Sequence, residues 1–256
     1  MKILETRSLT REFETLQGRL PVFVDVSFSL ESGRTTVLMG PNAAGKSSLV
    51  RVIGKIDRPD AGEVRTFPQD PTRPFMAVLI QEADETLLPW RTNLRNATFG
   101  LEVRGIGASE SSAVVRDFVE KYGLPIPLAK SPDVSSGGER QMVGVARTAV
   151  VRPEIIVLDE PFSRIDPALV TKWWVFLRRF AAEERVACLV VTHNVVEAAA
   201  LADDVLVLAP QYKGGGSVIA RRIEAPPRST TTLADRSTTA ELIRTISEAL
   251  ESVYAS

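Results

Sequence analysis

Two periodicities alternate along this chain. "VFVDVSFSL" (22–30) sets Val22, Val24, Val26, Phe28 and Leu30 against Phe23, Asp25, Ser27 and Ser29, the period-two pattern of a strand with one buried face. Five other runs are apolar without alternation: "TTVLM" (35–39), "MAVLI" (76–80), "EIIVLD" (154–159), "VACLVVT" (186–192) and "DVLVLA" (204–209). Strands buried on both faces read this way. Helical spacing falls among them, with Leu49, Val52 and Ile53 in "KSSLVRVIGK", then "ALVTKWWVFLRRFAAEE" (168–184) and "VVEAAALAD" (195–203). Such alternation predicts an α/β fold, a mostly parallel sheet packed on both faces. Between about 83 and 135 the pattern changes to two amphipathic helical segments, 92–103 and 109–121, which predict a helical insertion in the core. The stretch "QYKGGGSVIARRIEAPPRSTTTLADRSTTA" predicts a turn, a short strand and an exposed loop. A final amphipathic helix follows, with Leu242, Ile246, Ala249, Leu250 and Val253 on one face.

Composition changes this picture little. At 256 residues, 44% hydrophobic and 25% charged, the chain is long enough for one or two ordinary globular domains. A net charge of −1 gives no reason to expect a nucleic-acid partner. The single cysteine, Cys188, lies inside an apolar run and is expected to be a buried, inert thiol; no Cys/His cluster suggests zinc. "MKILETRSLTREF" has acids and arginines where a secretory signal needs an apolar stretch. No window approaches the roughly 18 uninterrupted apolar residues of a membrane span. The expectation is a protein soluble by itself, whose membrane role, if any, needs a partner.

Chemistry enters at "MGPNAAGKSSLV" (39–50). Gly40, then Gly45-Lys46-Ser47, fit G-x-x-x-x-G-K-[ST], between a buried strand and a helix. In such a loop backbone N–H groups cradle phosphates, the lysine reaches the β- and γ-phosphates, and the hydroxyl of Ser47 reaches Mg²⁺. "EIIVLDEP" carries Asp159 and Glu160 to the C-terminal end of a strand, the edge where open parallel sheets bind ligands. Adjacent strand residues point to opposite sides, so Asp159 can support the metal while Glu160 polarises an attacking water. A third device, "SSGGER" (135–140), leads into a helix whose N-terminus favours an anion.

Together "GPNAAGKSS", Gln81, "SSGGERQMVGVAR", "IIVLDEP", "SRID" and "VTHN" occur in the order found in ATP-binding cassette (ABC) ATPases, which the chain resembles from about residue 3 to 210. The resemblance implies a P-loop NTPase core with N-terminal antiparallel strands and an inserted α-helical subdomain. The core would span 1–82 and 141–256, the helical signature subdomain 83–140. It implies that ATP and Mg²⁺ are bound and that Gly40, Pro41, Asn42, Ala43, Ala44, Gly45, Lys46, Ser47 and Ser48 form the phosphate loop. Phe13 is similar to the aromatic that stacks on adenine. Ser47, Gln81 and Asp159 correspond to the metal-site residues, and Glu160, Gln81 and His193 to the catalytic ones. Ser136, Gly137 and Gly138 resemble the signature that touches the ATP of the opposite subunit, and Asp166 the loop that crosses the dimer interface. His193, the sole histidine, takes the place of the switch that senses the γ-phosphate.

Departures from the family pattern are Ser135 for the usual leucine, Glu139 for glutamine or methionine, and Arg164-Ile165 for Ala-Leu. None removes a catalytic group. "LLPWRT" (87–92) resembles the importer subgroup for nitrate, taurine and sulfonates. The implied assembly is a homodimer docked on integral membrane permease subunits at the cytoplasmic face, served indirectly by an extracytoplasmic solute-binding protein. A GTPase would need N-K-x-D, and repair ATPases a long coiled-coil insertion between the phosphate loop and the signature. The alternatives left are a regulatory or non-transport ABC ATPase with little turnover, or an ATPase of another importer or exporter class.

Overall fold

The computed structural model describes residues 1–16, 18–81, 86–211, 215–226 and 236–254. The five apolar runs become β3 (Thr35–Met39), β5 (Met76–Leu79), β6 (Ile155–Asp159), β7 (Ala187–Val191) and β8 (Asp204–Pro210). All pair in parallel, in the order β8-β3-β7-β6-β5. Their continuous hydrophobicity has a visible cause. Ile155, Val157, Leu189, Val191, Leu206 and Leu208 point into a core on the side of α1 (Lys46–Ile53), while Ile156, Leu158, Cys188, Val190, Val205 and Val207 join the core on the other side. Both faces are covered by packed core, so both parities are mostly apolar.

Two long strands, β1 (Lys2–Thr15) and β2 (Gly18–Glu31), form an antiparallel ribbon at the far side of the sheet. The alternation over 22–30 revealed only part of β2, and Phe23, set on its polar face, is instead fully buried, because the strand shifts register at Asp25 with φ 53°. β4 (Ala61–Thr66) pairs outside β1, and its polar "AGEVRT" shows no buried face, which is why no strand was expected there. β9 (Ser217–Glu224) joins ribbon and core, antiparallel to β8 and touching β2 at Phe23–Ser217. The turn expected at 212–214 and the loop at 227–235 lie outside the described residues, as do 82–85, where the helical insertion was expected to begin.

The insertion is helical, but the single helix expected over 92–103 is two: α2 (Asn93–Ala97) and α3 (Phe99–Val103). Thr98 breaks it. Its hydroxyl is engaged with Arg95 O and Glu102, and its carbonyl accepts from Leu101 N in a tight turn. α4 (Ala108–Tyr122) follows, then α5 (Gly137–Ala149), α6 (Pro167–Glu183), α7 (Val195–Leu201) and α8 (Arg236–Tyr254).

α4 and α6 meet through aromatic rings. Phe176 has edge contacts with Phe118 at 5.8 Å, Tyr122 at 5.2 Å and Trp173 at 5.5 Å between centroids. Phe176→Ala should therefore destabilise the fold by about 3–5 kcal/mol, the usual range for a buried aromatic. Urea unfolding reads this as a lower midpoint at unchanged slope. A shift below about 1 kcal/mol would show that this cluster is not a structural centre.

Candidate functional site

β3 ends against β8, and the chain turns at Gly40 with φ 151°. A Cβ at Gly40 would lie 2.1 Å from the carbonyl oxygen of Leu208, so no other residue fits there. The loop then enters α1 at Lys46. The lysine Nζ donates to the carbonyls of Gly40 and Pro41, both at 2.9 Å, which folds the ammonium back over the cradle. Burial lowers its pKa, and the charges of Glu160 and Asp159 oppose that shift.

Asp159 continues the parity of Ile155 and Val157, which aims it at α1, where the Ser47 hydroxyl donates to it. Burial raises its pKa and Glu160 adds to the rise, while Ser47 and Lys46 act against it. Its Oδ1 is buried without a hydrogen-bond partner. An orphaned acidic oxygen beside a serine hydroxyl fits a hard cation that takes oxygen ligands and keeps water or phosphate for the rest of its shell. No cluster of three acidic, His or Cys residues suited to a metal occurs among the described residues, so such a cation would rely on the bound phosphates.

These groups line a cleft of about 590 Å³ that reaches from the phosphate loop to the β1–β2 ribbon. Phe13, 45% exposed on that ribbon, lines it, and so do Asn42, Ala43, Gly45, Ser48 and Gln81. The Arg11 guanidinium lies 5.4 Å from the centroid of the Phe13 ring.

Glu160 follows the end of β6 with φ 50°, a left-handed conformation that costs a non-glycine residue about 1 kcal/mol or more. Its N–H donates to Val191 O at 2.9 Å, and its carbonyl accepts from Gln141 Nε2 at 2.7 Å. Its Oε1 lies 2.8 Å from Nδ1 of His193, just beyond β7. A carboxylate only accepts, so this contact places the hydrogen on Nδ1.

Ser136, Gly137, Gly138 and Asp166 are not among the residues lining this cleft; they gather elsewhere. Ser136 caps α5 through a reciprocal pair with Glu139: Glu139 N donates to Ser136 Oγ, and Ser136 N donates to Glu139 Oε2. Lys130 Nζ donates to the other oxygen of Glu139 at 2.8 Å and, with Ser136, holds its pKa below the ordinary value. The acid that departs from the family pattern is thus a neutralised cap. A Cβ on Gly138 would sit 2.6 Å from Arg164 O, so the signature turn packs directly on the Arg164-Ile165 loop. Asp166 caps α6, its Oδ1 accepting from Ala168 N.

Sequence reading passed over Gln141. Besides holding Glu160 O, its Oε1 accepts from Arg164 N at 2.9 Å, which joins α5 to both the glutamate and the loop beside the signature. Its polar amide on the buried face of an amphipathic helix was the available signal.

The ABC transporter family model matches residues 23–163, more than half of the chain. The chain belongs to the ABC transporter family. Taurine import ATP-binding protein TauB of Pseudomonas aeruginosa is 31% identical over 208 residues, 81% of this chain and 79% of that protein. Lipoprotein-releasing system ATP-binding protein LolD 2 of Caulobacter vibrioides is 33% identical over 221 residues, 80% and 94% of the two chains. In fold, the chain is similar to the dimeric, ADP- and phosphate-bound ATP-binding cassette MJ0796, with a TM-score of 0.75 at 22% identity, covering 88% of this chain and all of that one. This ABC protein is accordingly an ATPase whose hydrolysis is coupled to transport. No helix among its described residues is long and apolar enough to cross a membrane.

Near enough to Glu160 to feel its charge lies Glu197 of α7, 5% exposed, with its pKa pushed up to about 8 by burial. A hydrogen bond from Thr192 opposes this rise, and the charge of Glu160 adds to it. Between the ordinary carboxylate pKa and about 8 the unfolded chain releases this proton and the folded chain keeps it, so stability falls as pH rises through that window. Glu197→Gln imitates the protonated acid. It should gain stability over the wild type at pH 8, on the order of a few kcal/mol, and match it near pH 5. Denaturant unfolding at both pH values checks this; an equal difference at the two would contradict a buried neutral acid.

Proposed function

We propose that this ATPase drives import of a small solute of the taurine, sulfonate or nitrate class through a separate membrane permease. The observation that carries the mechanism is a division. The phosphate loop, Gln81, Asp159 and the Glu160–His193 pair share one edge, while Ser136–Gly138 stands apart with Arg164 and Asp166. A complete site then needs a second copy, placed head to tail, whose signature faces this cleft. Two ATP molecules act as glue between the protomers.

In that assembly Phe13 stacks on the adenine and the loop from Gly40 to Ser48 wraps the phosphates, with Lys46 on the terminal ones. Ser47, Asp159 and Gln81 would hold Mg²⁺, which supplies charge neutralisation on the phosphate oxygens. Glu160 takes the proton from the attacking water as the bond from the γ-phosphorus to ADP breaks. His193 holds the Glu160 carboxylate in place and faces the γ-phosphate. Asp166 stands at the dimer interface.

The helical segment 83–140 acts as a subdomain on the core of 1–82 and 141–256. In "LLPW" Leu87 is buried but Trp90 is 78% exposed, so one residue packs the insertion and another is left for a partner. An exposed tryptophan there supports docking to a permease at the cytoplasmic face of the membrane, with a solute-binding protein on the other side. Closure of the ATP-bound dimer then moves the permease, and product release reopens it. The solute class rests on the "LLPWRT" segment and the likeness to a taurine import protein.

Glu160→Gln should keep ATP binding, accumulate an ATP-bound dimer and lose turnover by about a hundred-fold or more. Normal steady-state hydrolysis by this variant sinks the general-base assignment. Lys46→Ala should lose most of its nucleotide affinity; fluorescence titration giving a wild-type Kd would contradict the phosphate-loop reading. For the solute, the permease complex reconstituted in vesicles should take up taurine, another sulfonate or nitrate only with ATP and a binding protein. Uptake of none of them, or extrusion of lipid or lipoprotein cargo, removes the importer reading.

A further inference from the structure

Ser135 stands where the family carries leucine, and it is buried, so its hydroxyl must be satisfied inside the protein. Asn93 Nδ2 donates to Ser135 Oγ at 2.9 Å, and the Ser135 hydroxyl donates to Ser131 O at 2.8 Å. Asn93 is fully buried at the first residue of α2, and its side-chain amide also donates to Pro127 O at 3.0 Å. Backbone bonds run alongside, from Asn93 N to Lys130 O and from Leu94 N to Leu128 O. On the other side Arg140 Nη1 donates to Ser135 O at 2.9 Å. The residue immediately before Ser136 is therefore gripped from two helices.

Asn93 Oδ1 is buried with no partner. Leaving a buried acceptor unsatisfied costs stability that an apolar pair at the same two positions would keep. Packing alone does not account for a polar contact here. Asn96, one turn further along α2, makes a second grip: it accepts from Leu88 N at 2.7 Å and donates to Leu88 O at 3.0 Å. One short helix thus holds the loop that carries exposed Trp90 at one site and the signature turn at another.

We propose that the Asn93–Ser135 hydrogen bond is a latch that fixes Ser136–Gly138 in the position needed to meet the terminal phosphate of the opposing protomer's ATP. The latch rests on the split-site reading given above. Asn93 and Ser135 are positioning residues. They line no part of the cleft, so their loss acts on closure of the dimer and spares nucleotide binding by the separate protomer.

The test uses the full chain with Glu160→Gln, in which ATP-driven dimerisation is followed by sedimentation and ATP binding by the monomer is titrated at low protein concentration. Adding Ser135→Ala or Asn93→Ala should raise the ATP concentration for half-dimerisation by about five- to ten-fold, the equivalent of one hydrogen bond. The monomer Kd should change by less than about two-fold. Combining the two should be no worse than either alone, because each already breaks the same bond. Ser135→Thr, which keeps the hydroxyl, should stay close to the parent and serves as the readout if Asn93→Ala folds poorly. Unchanged dimerisation in Ser135→Ala, or effects that multiply in the double variant, overturns the latch alone. Absence of an ATP dimer with the latch intact overturns the split-site reading and the latch with it.

Discussion

The proposed site depends first on the register of three parallel strands. Leu38 of β3 lies beside Val191 of β7, and Val191 lies beside Asp159 of β6. One row across the sheet therefore delivers three chain segments to the same edge: the phosphate loop, the Asp159-Glu160 pair and the turn into His193. A slip of one residue in either pairing would reverse the facing of Asp159 relative to α1 and separate it from Ser47. The two apolar cores on either side of the sheet enforce the register, because each strand alternates its apolar residues between them.

The polar groups at that edge are held in place by backbone and side-chain contacts, with one buried oxygen left open. Glu160 is held in a left-handed backbone by Val191 and Gln141, Asp159 has a buried oxygen with no partner, and the Lys46 ammonium is folded onto its own loop. Groups prepared in advance lose little on binding, and in the proposed site phosphate and a cation would satisfy the oxygen that the protein alone leaves open. The signature has a different design. The turn before it and its helix cap are held by Glu139, Lys130, Asn93 and Arg140, which fix where Ser136–Gly138 sit.

Much of the core was legible because sheet burial on both faces leaves an unmistakable mark: each of the five central strands appears as an apolar run within a residue or two of its bounds. The polar edge strand β4 carried no such mark. Thr98 broke a helix through hydroxyl bonds that periodicity does not record. For the site, residues that share a contiguous motif were easy to read, and so was their order. Gln141 was not, since its role lies in joining Glu160 to Arg164 across three elements. The consequences of Ser135 and Glu139 also required the fold, because their partners Asn93 and Lys130 come from other parts of the insertion.

The central claim is that each ATP site is shared between two copies, and complementation between two inactive chains tests it most directly. One chain carries Lys46→Ala. The other carries Gly137→Asp, whose Cβ meets only ordinary contacts from Arg164 Cδ at 3.7 Å and Arg140 Nη2 at 4.0 Å and which sits at a helix start that tolerates an acid, so the fold survives while the signature repels phosphate. Mixed dimers then contain one intact site, with the phosphate loop of the second chain facing the signature of the first. The account predicts ATP hydrolysis by the mixture well above that of either variant alone. A mixture as inactive as its parts, with dimers shown to exchange, would contradict it.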